Sequence, residues 1–272
     1  MMKTKFKRFI KKNFSSEILE LVAPKFPVII KEPRKKSVVS DLFTLRIEDG
    51  WETYFECLNY TEMLNPGSGK KNSAVYMYFF DKKGNFIAKD RVAMSFMPKK
   101  TILINEIASK FNIQKDGTFA VFHDNSPIWL ERYGSFLADR GYIGYSNPQR
   151  GLIKNFVHGN FDAIALDAKN KTSLLGNSSL FKKEYRLQHY LDKNFEYEFF
   201  WVNTTNKPQV IQICTVSEND SFENEIQLYP GGLGTFKSKN KIATRIIIKS
   251  RLYLARPIIF KYMSTSFDIF HG

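Results

Sequence analysis

Residues 51–61 read WETYFECLNYT, and residues 195–205 read FEYEFFWVNTT. Trp51, Thr53, Phe55 and Cys57 occupy alternate positions of the first; Phe195, Tyr197, Phe199 and Trp201 occupy alternate positions of the second. Each segment closes on an Asn and a Thr, Asn59 with Thr61 and Asn203 with Thr205, and the two align without a gap. A β-strand turns successive side chains to opposite faces, so this period marks a strand with one face buried. Two strands with one pattern predict two sheets built alike.

The parallel extends outward from both. Each segment is followed by a turn and a second strand, AVYMYFF at 74–80 and QVIQICTV at 209–216. DKKGNF (81–86) has the Gly-Asn punctuation of a tight hairpin. SFMPKKT (95–101) answers QLYPGGLGT (227–235), each an apolar run that reaches a proline, Pro98 or Pro230; TFAVFHD (118–124) is matched with RPIIFKY (256–262). A serial run of matched strands, turns and prolines points to internal duplication.

Short strands at regular spacing, with few long helical patterns, predict a mostly β chain of two tandem antiparallel β-sandwiches, jelly-roll or immunoglobulin-like. Frequent Phe (25) and Tyr (13) suit strands. The expected divisions are a basic helix and Pro-rich linker at 1–36, a first sandwich at 37–150, a connecting region at 151–185 and a second sandwich at 186–272. Cys57 and Cys214 fall mid-strand in different halves, as small buried residues rather than a disulfide. Two cysteines do not make a secreted disulfide scaffold, no apolar run spans a bilayer, and no signal-peptide core is present. The expected compartment is cytoplasmic, peripheral to a membrane if the basic head binds one.

DRGYIGYSNPQRGLIKNFVHGN, residues 139–160, is a Gly-rich connection with two Arg-Gly pairs and two tyrosines. Long connections inside a compact chain are where binding residues concentrate. Arg140, Tyr142, Tyr145, Arg150, His158, Asn160 and Asp162 are the candidate ligand-binding residues. Arg offers a planar fork for anions, Tyr a stacking ring with a hydroxyl, and Asn a paired donor and acceptor. Each also has a plain structural use, such as a loop-fastening Arg, a core Tyr or a turn-forming Asn. Together they describe the lining of a site for a hydroxylated or anionic small ligand, or a clamp between the two halves.

No catalytic template fits. PGGLGTF (230–236) lacks the lysine and helix start of a phosphate cradle, there is no Gly-x-Ser-x-Gly elbow, and the four histidines lack metal-ligand spacing. No cofactor and no metal centre is expected. The enzyme reading that remains uses His158 with Asp162 or Asp139 as an acid/base pair on a sugar-like substrate.

The charge is uneven. Residues 1–36 hold eleven Lys/Arg and three acids, a net +8 within a chain of +14. Phe6, Phe9, Ile10 and Phe14 recur at helical spacing among Lys3, Lys5, Lys7, Arg8, Lys11 and Lys12. A basic amphipathic helix of this kind suits an anionic membrane surface through Lys3, Lys5, Phe6, Lys7, Arg8, Phe9, Lys11 and Lys12; packing on the body is the alternative. The pattern as a whole favours a non-catalytic binding or accessory protein. Its expected partners are a glycan or sugar nucleotide and an anionic membrane, not nucleic acid. A structural role in a viral or other assembly is a further reading.

Overall fold

The computed structural model describes residues 38–272 apart from 41, 65, 68–73, 95–96, 124–127, 131–134, 138, 160–163, 167–171, 175–177, 189, 217–220, 240–243 and 253–255. The expected basic head and linker at 1–36 lie outside the described residues. The rest is mostly β and antiparallel, with four main four-stranded sheets.

The first unit contributes β2 (Leu42–Leu45), β3 (Glu52–Leu58), β4 (Ala74–Asp81), β5 (Phe86–Ala93), β6 (Lys99–Leu103), β7 (Gly117–His123), β10 (Arg140–Asn147) and β11 (Leu152–His158). Its sheets have the orders β2-β7-β4-β5 and β11-β10-β3-β6. The second unit contributes β14 (Ser178–Arg186), β15 (Glu196–Val202), β16 (Gln209–Val216), β17 (Ser221–Leu228), β18 (Leu233–Lys239), β19 (Arg245–Leu252), β20 (Ile258–Tyr262) and β21 (Phe267–His271). Its sheets have the orders β14-β19-β16-β17 and β18-β15-β20-β21. Numbered within its own unit, each pair of sheets reads first-sixth-third-fourth and fifth-second-seventh-eighth.

Smaller pieces decorate the first unit. The hairpin β8 (Ile128–Leu130) with β9 (Ser135–Leu137) interrupts it between β7 and β10, and β1 (Val38–Ser40), β12 (Ile164–Leu166) and β13 (Thr172–Leu174) form a separate three-stranded sheet. Two short helices, α1 (Tyr60–Leu64) and α2 (Ile104–Lys110), cap strand ends.

Three details differ from the sequence reading. β11, expected within the connecting region, completes a sheet of the first unit, and β14 brings the start of the second unit forward to Ser178. TFAVFHD forms the sixth strand of its unit whereas residues 258–262 form the seventh, so those two segments do not correspond. β7 is buried at every position, which erases the alternation that would have indexed it.

β3 follows the predicted half-buried alternation, whereas β15 is buried at every position from Tyr197 to Val202, because its outer side packs on the first unit. Phe55 and Cys57 point into the first core; Tyr197, Phe199 and Trp201 point into the second. Both thiols are free and buried. The sheet β18-β15-β20-β21 is apolar on both faces. Phe199, Trp201 and Ile259 face β16 and β19 through Ile211, Ile213, Ile246 and Ile248, while Phe200, Val202, Ile258 and Phe260 belong to the first unit's core. Trp51 meets Phe260 and Phe267 edge-on at 5.4 and 5.2 Å, and Tyr145 meets Phe260 at 5.0 Å. One continuous apolar core therefore crosses the junction.

Candidate functional site

The predicted residues separate into three places. Arg140, Tyr142 and Gly144 alternate on the outer face of β10, where Tyr142 lies directly opposite His158 on β11 and Glu56 on β3. Tyr145 points the other way. It is fully buried and donates its hydroxyl to the Thr44 carbonyl at 2.8 Å; burial pushes its pKa up, against the opposing pull of Arg46. That makes it a core residue rather than a ligand contact. Arg150 ends a 3-10 turn (Pro148–Arg150) and sits with its guanidinium carbon 5.3 Å from the centre of the Tyr262 ring, at the junction. Asn160 and Asp162 lie outside the described residues.

The acid/base alternative loses one partner by geometry. Asp139 is buried just before β10 and accepts the Tyr60 N–H at 2.8 Å, on the side that faces Cys57. His158 stands on the exposed side of β11. The sheet itself separates them.

The outer face of β11-β10-β3-β6 holds more than the sequence reading found. One row across it runs His158, Tyr142, Glu56, Thr101; the next runs Phe156, Gly144, Tyr54, Leu103. Gly144 has a steric purpose, because a Cβ there would fall 2.5 Å from the Phe156 ring. The missing side chain lets that ring lie across β10, and Phe156 and Tyr142 stay 39% and 40% exposed. Lys154 places its ammonium 3.4 Å from the centre of the Tyr54 ring. The Tyr54 hydroxyl donates to Glu52, which also accepts from Ser146 at 3.0 Å; burial and then the Glu52 carboxylate push the phenol's pKa up. Lys99 pairs with Glu56 at 2.9 Å on the far edge. The outcome is two half-open aromatic faces ringed by fixed carboxylates, lysines and hydroxyls. Outward-facing Lys154, Phe156 and His158 already alternate in LIKNFVH, and that period was the available signal.

The clamp between the halves is built elsewhere. Arg46 donates to Glu198 and, at 2.7 Å, to the Tyr262 hydroxyl, which itself donates to Glu198; Lys237 completes the set at 2.5 Å. The guanidinium carbon lies 3.9, 4.6 and 5.0 Å from the ring centres of Trp51, Phe260 and Phe200. Burial raises the Glu198 pKa, but Arg46 and the hydrogen bonds from Lys237 and Tyr262 outweigh it and hold the carboxyl below its usual range. A second lock joins two turns. Leu233 N–H donates to the Lys82 carbonyl at 3.0 Å, Thr118 donates to the Gly231 carbonyl, and Gly84 lies against Pro230.

Among the described residues no group of three or more His, Cys, Asp or Glu is placed to hold a metal, and no helix is long and apolar enough to cross a membrane. A shallow hollow of about 240 Å³ lies beside α2, lined by Ile47, Asn105, Ala108, Ser109, Ile113 and Gln114, and gathers no charged group. No protein-family model matches the chain, and no curated protein matches it in sequence.

Proposed function

We propose that the protein is a non-catalytic binding or accessory protein that takes a glycan or another hydroxylated small ligand on the outer face of β11-β10-β3-β6. The observation that supports it most is the pair of half-exposed rings, Tyr142 and Phe156, beside Glu56, Lys154 and His158. A ring held flat and half open gives an apolar platform for the C–H face of a sugar, and fixed polar groups around it meet hydroxyls. The choice of a glycan adds fold-level analogy, since sandwiches often carry such sites. The shared strand order of the two units supports an origin by internal duplication of a jelly-roll-like sandwich. In this reading the basic head holds the protein at an anionic membrane.

Isothermal titration against neutral and acidic oligosaccharides and sugar nucleotides tests the ligand class. Binding that Tyr142→Ala and Phe156→Ala each weaken by about tenfold or more is the expected result, full burial of such an apolar ring under a ligand being worth about 1.5–3 kcal/mol. Silence across the panel from folded protein removes the glycan reading.

A further inference from the structure

The edge strand β14 departs from its partner in one place. Ser178 pairs with Leu252 and Lys183 with Ser250, so Arg251 alone faces the four residues Ser179–Lys182. The chain loops out of the ladder there, and Leu180, Phe181, Lys182 and Lys183 are all exposed. Bulges and lysines are common on edge strands, where they prevent pairing with another sheet. That accounts for Lys182 and Lys183 but not for the two apolar residues at the apex. Phe181 is 78% exposed, the most open large apolar side chain among the described residues, and Leu180 is 51% exposed.

We infer that this bulge is a membrane-insertion knob: Leu180 and Phe181 enter the headgroup–acyl boundary of an anionic bilayer while Lys182 and Lys183 meet its phosphates. The surrounding charge is complementary to such a surface. Arg251 faces the bulge across the ladder, and Glu184, next to Lys183 in the strand, is bound to Arg186 at 2.9 Å. An apolar tip with a basic flank is the pattern of interfacial binding, where each cation near the surface adds about 1 kcal/mol. A protein partner fits less well. Stable interfaces cover about 800 Å² per side, far more than two side chains offer, whereas lipid needs no complementary surface. The knob is independent of the ligand face and lies in a different segment from the basic head.

The test uses the full chain with an environment-sensitive fluorophore on Leu180→Cys, which keeps Phe181. Cys57 and Cys214 are buried, so labelling is directed to the new thiol. A probe on Lys207→Cys, in the exposed turn after β15, serves as control. With phosphatidylglycerol-containing vesicles the position-180 probe should brighten severalfold and shift to the blue; with phosphatidylcholine alone, or at position 207, it should not. Leu180→Ser with Phe181→Ser should lower co-sedimentation at least threefold. Unchanged emission at position 180 while the protein sediments would overturn the knob and leave the head as the contact. A rise without vesicles that grows with protein concentration would also overturn it, by showing that a second copy covers the bulge.

Discussion

His158 and His271 stand at equivalent places in the two units and meet across the junction, their ring centroids 4.6 Å apart. Each lies on the eighth strand of its unit, opposite Tyr142 and Ile258 on the seventh. His271 donates from Nε2 to the His158 carbonyl at 2.7 Å, which leaves its buried Nδ1 without a hydrogen-bond partner.

Acid should loosen this contact. Burial lowers the His271 pKa to about 4, with Arg256 assisting and the hydrogen bond to the His158 carbonyl opposing, and burial lowers that of His123, beside Cys57, to about 3. In the unfolded chain both imidazoles take a proton near pH 6.5. The unfolded state therefore binds more protons between those limits, and stability present above about pH 6.5 is lost as pH falls toward 4 and then 3. For His123 the full loss is on the order of 5 kcal/mol. Urea unfolding between pH 7 and pH 4 should show midpoints that fall with acid, with a shallower fall in His271→Gln. A slope unchanged by that substitution would exclude His271 as a contributor.

The Arg46–Glu198 clamp predicts an asymmetry. Glu198→Ala leaves the Arg46 guanidinium buried among three rings without its carboxylate, at a cost of about 3–5 kcal/mol. Replacing both partners, Arg46→Met with Glu198→Gln, should cost clearly less than the sum of the single changes. A double-mutant cycle in urea measures the coupling, and additive losses would mean that the pair contributes nothing jointly.

Two glycines with positive φ separate docking from backbone strain. Gly84 has φ +79° and a Cβ there would lie 1.8 Å from the Pro230 carbonyl oxygen; Gly151 has φ +68° and open space. Gly151→Ala should cost about 1 kcal/mol from conformation alone. Gly84→Ala must also part the two turns and should cost several times that in thermal unfolding. Equal losses would show that the turns yield freely.

Gly144→Ala tests the ligand face without touching a ligand contact directly. The added methyl displaces the Phe156 ring from its seat over β10. Any ligand found on this face should bind at least about tenfold more weakly, the loss expected when one apolar ring is no longer covered, with the melting temperature lowered by only a few degrees. Full-strength binding would place the ligand elsewhere.

The head makes a salt-dependent prediction. Six cationic side chains precede the first acid, Glu17. Their attraction to a surface falls off within about 8 Å at physiological salt. Deleting residues 1–16 should reduce sedimentation with anionic vesicles, most strongly at low salt, with the far-ultraviolet circular dichroism of the body unchanged. Equal sedimentation at every salt concentration would assign the head to packing.

The legible parts of the fold were those with a local signature. β3 buries one face, so its period of two survives in the sequence; β15 is buried on both faces, and what it shares with β3 is the Asn that follows each. Asn59 Oδ1 accepts the Glu62 N–H and Asn203 Oδ1 accepts the Thr205 N–H, closing the turn after the second strand in both units. β11 is only weakly marked, because its outer row carries the apolar Phe156, its inner row the polar Asn155, and a bulge at Ile153, 74% exposed, shifts the register. Arg46 carried no local signal; its carboxylate lies 152 residues away in sequence.

The sequence by itself determined that the chain is built of short antiparallel strands, which side of β3 enters a core, and where cationic charge gathers, since each depends on neighbours a few residues apart. Tertiary structure decided which outer face stays open. On the first unit Tyr54, Gly144 and Phe156 cross the face that is left to solvent; the equivalent places on the second hold Glu198, Phe260 and Ile269, buried on the first unit. Alternation states that a strand has two sides, but whether the outer side meets water or another sheet depends on packing between residues more than a hundred positions apart, and no period in the sequence encodes that.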